Sequence, residues 1–264
     1  MENKPGKREL DALKALLDEK VTVYNRPSFI TADPVSIPHR FTGKQDIEIA
    51  GLFAAVLAWG NRTTIINNCM RLLDWMDQAP YQFIMQHKDT DLKKFLAFVH
   101  RTFNATDLLY FFQFLQWHYA QYESLEDAFV PVAAYEEQDV ESALIHFHNY
   151  VFSLPEFPDR TRKHISTPAR GSACKRLCMY LRWMVRKDEQ GVDFGIWQKI
   201  KPAQLICPLD VHVARVAQRL GLLSRTNADW RSAKELTLQL KQWRPEDPAV
   251  YDYALFGLGV AEKF

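Results

Sequence analysis

The sequence is short of cysteine, of net charge and of long apolar runs, and each shortage excludes a class of protein. Four cysteines among 264 residues, Cys69, Cys174, Cys178 and Cys207, are too few and too scattered for a disulfide-stapled scaffold. Cys174-x3-Cys178 is not followed by a second close Cys or His pair, so neither a zinc nor an iron–sulfur site is expected, and no metal or other cofactor. Reduced thiols in a cytoplasmic protein are the expectation. The longest apolar-rich stretch, IAGLFAAVLAW (49–59), falls short of a membrane span and reads as a buried helix. The opening MENKPGKREL has no apolar core behind its basic residues, so a signal peptide is not expected. There is no Gly-x-x-x-x-Gly-Lys phosphate loop and no Gly-x-Ser-x-Gly elbow. Sustained strand alternation, internal repeats and low-complexity segments are also missing.

What is present is ordinary globular composition, 47% apolar and 25% charged, in a chain long enough for one or two domains. Nearly every segment shows the helical period. Leu10, Leu13, Leu17 and Val21 mark one face of a first helix, and Pro27, Pro34 and Pro38 punctuate an extended segment after it. Asp46 is placed to cap a helix running to Trp59, and Asn61 or Thr63 to begin the next, with Ile65, Cys69, Leu72 and Met76 inward. Two further helices are expected over 91–100 and 107–122, the second with a core cluster of Tyr110, Phe111, Phe112, Phe114 and Trp117. Helices over 140–152, 229–243 and 248–258 complete an all-α fold. Ser172 is placed to cap a basic helix that packs through Leu177, Leu181 and Val185. His146-x-His148 has strand-like ligand spacing inside a helical segment, where the two rings diverge, and reads as structural.

Net charge is +1, but charge is segregated. Residues 160–187 hold nine Lys or Arg and no acid, and residues 121–145 hold seven acids and no Lys or Arg. That pattern fits one positive face for a phosphate-bearing partner, or a basic helix that the acidic segment neutralises.

Two residues carry chemistry. With Ser172 as cap, Lys175 lies in the first turn of its helix, where the helix dipole and the like charges of Arg170 and Arg176 favour a neutral, nucleophilic amine. Asp210 follows Pro208 and opens a helical run that ends at Gly221. A carboxylate there is a good cap, and it is also an ionised group fixed to accept a proton or stabilise a sugar cation. Read singly, a solvated lysine and a capping aspartate explain both.

The pair also resembles a known constellation. Pro208-Leu209-Asp210-Val211-His212, followed by Ala217-Gln218-Arg219, resembles the signature after the catalytic hairpin of 8-oxoguanine DNA glycosylases, and more broadly the Pro-x-Asp-x-His of the helix-hairpin-helix-GPD superfamily that includes endonuclease III. Gly171-Ser172-Ala173-Cys174-Lys175 is similar to the Gly-x-Gly-x-Lys that ends the hairpin, and the 48–73 stretch to the first barrel helix and the DNA-facing loop after it. The whole chain also resembles an uncharacterised bacterial family with the same C-terminal arrangement, which brings no assigned activity. Three departures stand out: Ala173 replaces the second hairpin glycine, the insert KDEQGVDFGIWQKIKP separates Lys175 from Asp210 by 35 positions, and no cysteine cluster follows the closing helices.

The resemblance implies a monomeric, two-lobed glycosylase fold, one lobe from 46–204 and the other from 1–45 with 205–264, that flips a damaged nucleotide out of duplex DNA. It implies Lys175 as nucleophile at C1′ of the sugar and Asp210 as its activator. Arg170, Gly171, Ser172, Ala173 and Arg176 would hold a DNA phosphate, His212 would touch the backbone, and Asn61 and Arg62 would enter the duplex. Trp59, Trp183 and Phe256 are candidates for the base pocket, and each is equally a core aromatic. A non-catalytic nucleic-acid-binding protein on the same scaffold, another enzyme acting on a phosphate-bearing substrate, and a helical protein that binds partners through its acidic 121–145 segment remain open alternatives.

Overall fold

The computed structural model describes residues 7–132, 135–262 and 264. It is mostly helical, as the periodicity predicts. In chain order the α-helices are α1 (Lys7–Tyr24), α2 (Pro27–Ile30), α3 (Lys44–Leu57), α4 (Arg62–Trp75), α5 (Pro80–Gln86) and α6 (Ala105–Tyr119). They continue with α7 (Glu126–Phe129), α8 (Glu141–Val151), α9 (Lys175–Val185), α10 (Val211–Arg219), α11 (Trp230–Lys241) and α12 (Tyr251–Val260). Short 3₁₀ turns connect several of them.

Several boundaries differ from expectation for local reasons. The segment marked by Pro27, Pro34 and Pro38 is not extended; each proline opens a short helical turn, where its missing N–H costs nothing. Asp46 does not cap α3. Gly43 precedes α3, and the Asp46 carboxylate accepts from the backbone N–H of Tyr81, pinning α5. Asn61 does cap α4, accepting from Thr64 N at 3.1 Å. The helix expected over 91–100 is a 3₁₀ segment, Asp91–Ala97, followed by a small hairpin of β1 (Val99–His100) and β2 (Phe103–Asn104). Arg101 turns the hairpin with φ 55°, and Phe98 and Phe103 bury on one side of it. Asn104 and Asp107 then form a reciprocal capping box that starts α6.

One contiguous hydrophobic cluster fills the molecule, with the α6 aromatics Phe111, Phe112 and Phe114 inside it and Trp117 packed at its edge. α3, apolar nearly all round, is sandwiched among α4, α5 and α9. α1 packs along α12, and α12 along α10, so the N-terminal helix joins the C-terminal ones. Gly257 makes the first of these contacts close: a Cβ there would meet the Tyr24 ring at 2.2 Å. The 187–202 insert folds back on the core, with Trp197 buried and its Nε1 donating to Glu48 Oε1 at 2.7 Å. Among the described residues no helix is long and apolar enough to cross a membrane.

Candidate active site at the N-termini of two helices

The path into α9 is a tight, strained turn. Gly171 adopts the left-handed conformation, φ 76°, and so does Cys174, φ 50°, the residue that caps the helix by position. Ser172 is therefore not the α9 cap. Its Oγ accepts from Cys174 N at 3.2 Å, inside the turn, and Lys175 becomes the first helical residue. Gly171 O accepts from Trp230 N at 3.0 Å, which ties the turn to the start of α11.

Asp210 caps α10 as its sequence predicts. Oδ1 accepts from His212 N and Val213 N, both at 2.9 Å. This division of labour leaves Oδ2 facing Lys175 Nζ at 4.0 Å, with the side chains 23% and 27% exposed. Among the described residues the amine otherwise meets only Met179 Sδ, at 3.5 Å. The contact is a loose ion pair rather than a hydrogen bond. Thirty-five residues apart in sequence, the two groups share the wall of one cavity.

That cavity has a volume of ≈ 390 Å³, within the range of small-molecule sites. Of the residues singled out from sequence, Lys175, Asp210, His212, Arg62 and Phe256 line it. The Arg62 guanidinium stands 5.3 Å from the centre of the Phe256 ring. His212 is exposed at the rim.

Other expected residues lie elsewhere. Trp183 is fully buried in the core and does not line the cavity. Trp59 is half-buried beneath the Arg101 guanidinium, 4.6 Å from its ring, with its neighbours Ala58 and Gly60 rather than the indole at the cavity. Asn61 is exposed and occupied as a cap. Arg170 and Gly171 are exposed, Ser172 is half-buried and Ala173 is buried. Arg176 is the clearest correction. Its guanidinium donates to Val56 O, at the end of α3, and to His164 O, so it holds backbone rather than a phosphate.

Of the two arrangements that the segregated charge fits, a single positive face finds little support, because most of the basic run is spent within the protein. Arg182 and Arg186 are buried, and both donate to Asp193. Arg182 also pairs with Asp252, and Arg186 with Asp188 and Asp247. Arg160 pairs with Asp107 at 2.6 Å. The acidic segment neutralises other cations: Asp127 pairs with Lys199, and Asp139 and Glu141 with Lys234. Counting charge along the chain left both arrangements open because helical facing, not proximity in sequence, decides which charges meet.

Sequence reasoning also missed two acids that line the same cavity, Asp33 and Asp252. Burial pushes both carboxyls up. For Asp252 the value reaches about 6, with the cations Arg182 and Lys175 opposing the rise. For Asp33 the opposition comes from the Val35 N–H and from Arg182. A lone acid within the otherwise apolar run of α12 was the available signal for Asp252; Asp33 carried none beyond a cap before Pro34. The cysteines contribute no nucleophile, since all are buried, and burial drives the Cys69 thiol up to about 12. His148 is held by the Ile165 carbonyl at 2.7 Å, a structural role. Among the described residues no group of three or more His, Cys, Asp or Glu is arranged to hold a metal ion.

The family described as a protein of unknown function (DUF2400) matches residues 33–261, and the chain belongs to it. No curated protein and no solved structure matches the chain.

Proposed function

We propose that this chain is a helix-hairpin-helix DNA glycosylase with lyase activity, in which Lys175 is the nucleophile and Asp210 its proton acceptor. The observation that carries the proposal is the 4.0 Å approach of Lys175 Nζ to Asp210 Oδ2 at the wall of a cavity. In a binding protein neither group needs the other. The lobes in this reading are the α3–α9 body and the α1, α10, α11 and α12 set, with the cavity at their junction.

Asp210 accepts a proton from the Lys175 ammonium. The neutral amine attacks C1′ of a flipped nucleotide; the N–C1′ bond forms as the C1′–base bond breaks, and the base leaves with the electron pair and takes up a proton. The lysine nitrogen then gives up one proton to O4′ as the C1′–O4′ bond breaks, and its lone pair forms the C=N bond of a protonated Schiff base. Loss of a C2′ proton then expels the 3′ phosphate and cleaves the strand. Asp210 Oδ2 stabilises the positive charge that builds on the sugar, while Oδ1 stays anchored by two backbone N–H groups. Duplex contacts fall to cations near the cavity and hairpin, the half-buried Arg62 and the exposed Arg101 and Arg170, since Arg176 is occupied.

Borohydride trapping on labelled duplexes carrying 8-oxoguanine, an abasic site or no lesion tests the reading. Wild type is expected to form a covalent adduct with a lesion-bearing duplex, Lys175→Ala none, and Asp210→Asn at least a hundredfold less. An adduct that survives Lys175→Ala rejects the assignment. No adduct, with salt-sensitive DNA binding intact, leaves the scaffold as a binding protein.

A further inference from the structure

The insert that separates Lys175 from Asp210 in sequence takes no part in the reaction above, and it is no loose spacer. Phe194 N donates to Trp183 O at 2.8 Å and Trp197 N to Met184 O at 3.0 Å, which pins the insert along the last turn of α9. Asp193, near its centre, has a side chain sealed from water and divides its carboxylate between two arginines of α9. Oδ1 accepts from Arg182 Nε at 3.3 Å and Oδ2 from Arg186 Nη1 at 3.0 Å. Held on that side, each guanidinium gives its other nitrogens to the opposite lobe. Arg182 Nη1 donates to Asp252 on α12, and its guanidinium stands 4.3 Å from the centre of the Tyr253 ring. Arg186 Nε donates to Asp247 Oδ2, shortly before α12, at 2.8 Å. Its Nη2 donates to Asp188 Oδ2 at 2.6 Å, an oxygen that also accepts from Asn25 Nδ2, just after α1, at 2.6 Å.

Lys175, Met179 and Arg182 lie at i, i+4 and i+7 of α9, and all three line the cavity. The arginine that reaches α12 therefore stands on the same helix face as the amine. Asp210 opens α10, which packs along α12. How α9 is held to α12 thus bears directly on how far Lys175 stands from Asp210. We propose that Asp193 is a positioning residue that, through Arg182 and Arg186, sets the gap between the two lobes and so the reach of Lys175 to Asp210. This rests on the lobes and the reaction read above. Asp193 itself does not line the cavity. It acts by orienting two buried cations, and buried ions keep their geometry only while each retains its partners, since losing one leaves the other uncompensated. The insert is then the arm that closes the site, and its length is what lets a residue beyond α9 reach back under both arginines.

Two measurements read the gap, one of them without DNA. A water-soluble carbodiimide joins an amine and a carboxylate in contact as an amide, and mass spectrometry of the linked peptides gives the Lys175–Asp210 yield. Single-turnover borohydride trapping on an abasic duplex gives a maximal rate and a half-saturating concentration. Asp193→Asn offers one arginine an amide N–H in place of an acceptor. It is expected to lower the linking yield and the maximal rate by about tenfold each, and to leave the half-saturating concentration within about twofold, because no DNA contact is touched. Asp107→Asn, which breaks a buried ion pair away from the cavity, is expected to lower the melting temperature and leave yield and rate per folded molecule unchanged. Arg182→Lys keeps the charge but loses the fork, so an intermediate loss is expected, and it carries the test if Asp193→Asn does not fold. Losses no greater than those of Asp107→Asn overturn the proposal, as does a wild type that does not link. Loss of linking in a protein that forms no adduct would keep this inference and reject the lyase; adducts with linking unchanged would do the reverse.

Discussion

Glu48 and Asp252 are both acids set in apolar helices and both nearly sealed from water, yet their surroundings differ in kind. Glu48, on α3, receives four donors: Ser124 Oγ at 2.6 Å and Trp197 Nε1 at 2.7 Å on Oε1, Tyr119 OH at 2.9 Å and Leu125 N at 3.0 Å on Oε2. The donors come from the end of α6, the loop after it and the 187–202 insert, so one carboxylate ties three separate segments to α3. Asp252, on α12, receives Arg182 alone and turns an oxygen to the cavity. Burial pushes both carboxyls up. Only the donor count separates an acid that has become structure from one that still has a bond to make. The Lys175–Asp210 contact belongs with the second kind, loosely paired and partly open.

The largest way to break that comparison is at Glu48. Glu48→Ala strands four buried donors at once, and a loss of about 4 kcal/mol in urea unfolding is expected. Asp252→Asn keeps the shape of its site and is expected to cost less than half of that. Equal losses for the two would mean that Asp252 is as structural as Glu48.

Acid and neutral pH sharpen the contrast further, with Asp107 standing for the saturated acids. Asp107 accepts from Asn104 N and Thr161 Oγ1 and meets Arg160 and His164. Despite burial these contacts hold its carboxyl at about 2, below the ordinary 3.8. It therefore contributes stability that is present above pH 3.8 and lost as pH falls towards 2. Asp252 has the opposite sign. Its value of about 6 means that the folded state holds a proton the unfolded chain releases, so its contribution is present below pH 3.8 and lost as pH rises through 6. The first amounts to about 2 kcal/mol and the second to about 3 kcal/mol. Urea midpoints from pH 2 to 7 should show Asp107→Asn flattening the acid limb, and Asp252→Asn making the protein gain stability more steeply between pH 4 and 6.

How much of this was legible follows the range of each interaction. The caps Asn61 and Asp210 act on N–H groups two or three residues away, and both were readable. The aromatic core of α6 and the helical class followed from periodicity. Ser172 misled because the turn into α9 uses two left-handed residues, and nothing in Gly-Ser-Ala-Cys announces Cys174 as the second. The 91–100 segment misled because a left-handed Arg101 lets a hairpin form where helical spacing continued. The basic run left its role open for a longer-range reason: Arg182 meets Asp252 and Arg176 meets Val56 O across 70 and 120 positions, which composition along the chain does not encode. The Lys175–Asp210 meeting was expected only through resemblance, and Asp33 and Asp252 as cavity acids not at all.

The smallest effect tests the same distinction among cations. Arg176 spends its guanidinium on two backbone carbonyls, whereas Arg101 is exposed, carries no ion pair among the described residues, and rests on Trp59 beside the cavity-lining Gly60. A spent cation has no counterion to give up, so it adds nothing to DNA binding beyond keeping the fold; a free one beside the duplex displaces a condensed ion from the phosphates. Arg176→Ala should therefore cost about 2 kcal/mol of stability, by leaving carbonyls unpaired, and leave the salt slope of DNA binding in its folded fraction unchanged. Arg101→Ala should leave stability within about 0.5 kcal/mol and lower the slope of log affinity against log salt by about 1. Arg101→Lys keeps the charge and loses most of the stacking on Trp59, so it should restore the slope but only part of the affinity. Fluorescence anisotropy with an abasic duplex at several salt concentrations reads all three, and a slope that follows Arg176 rather than Arg101 would return the phosphate contact to the hairpin.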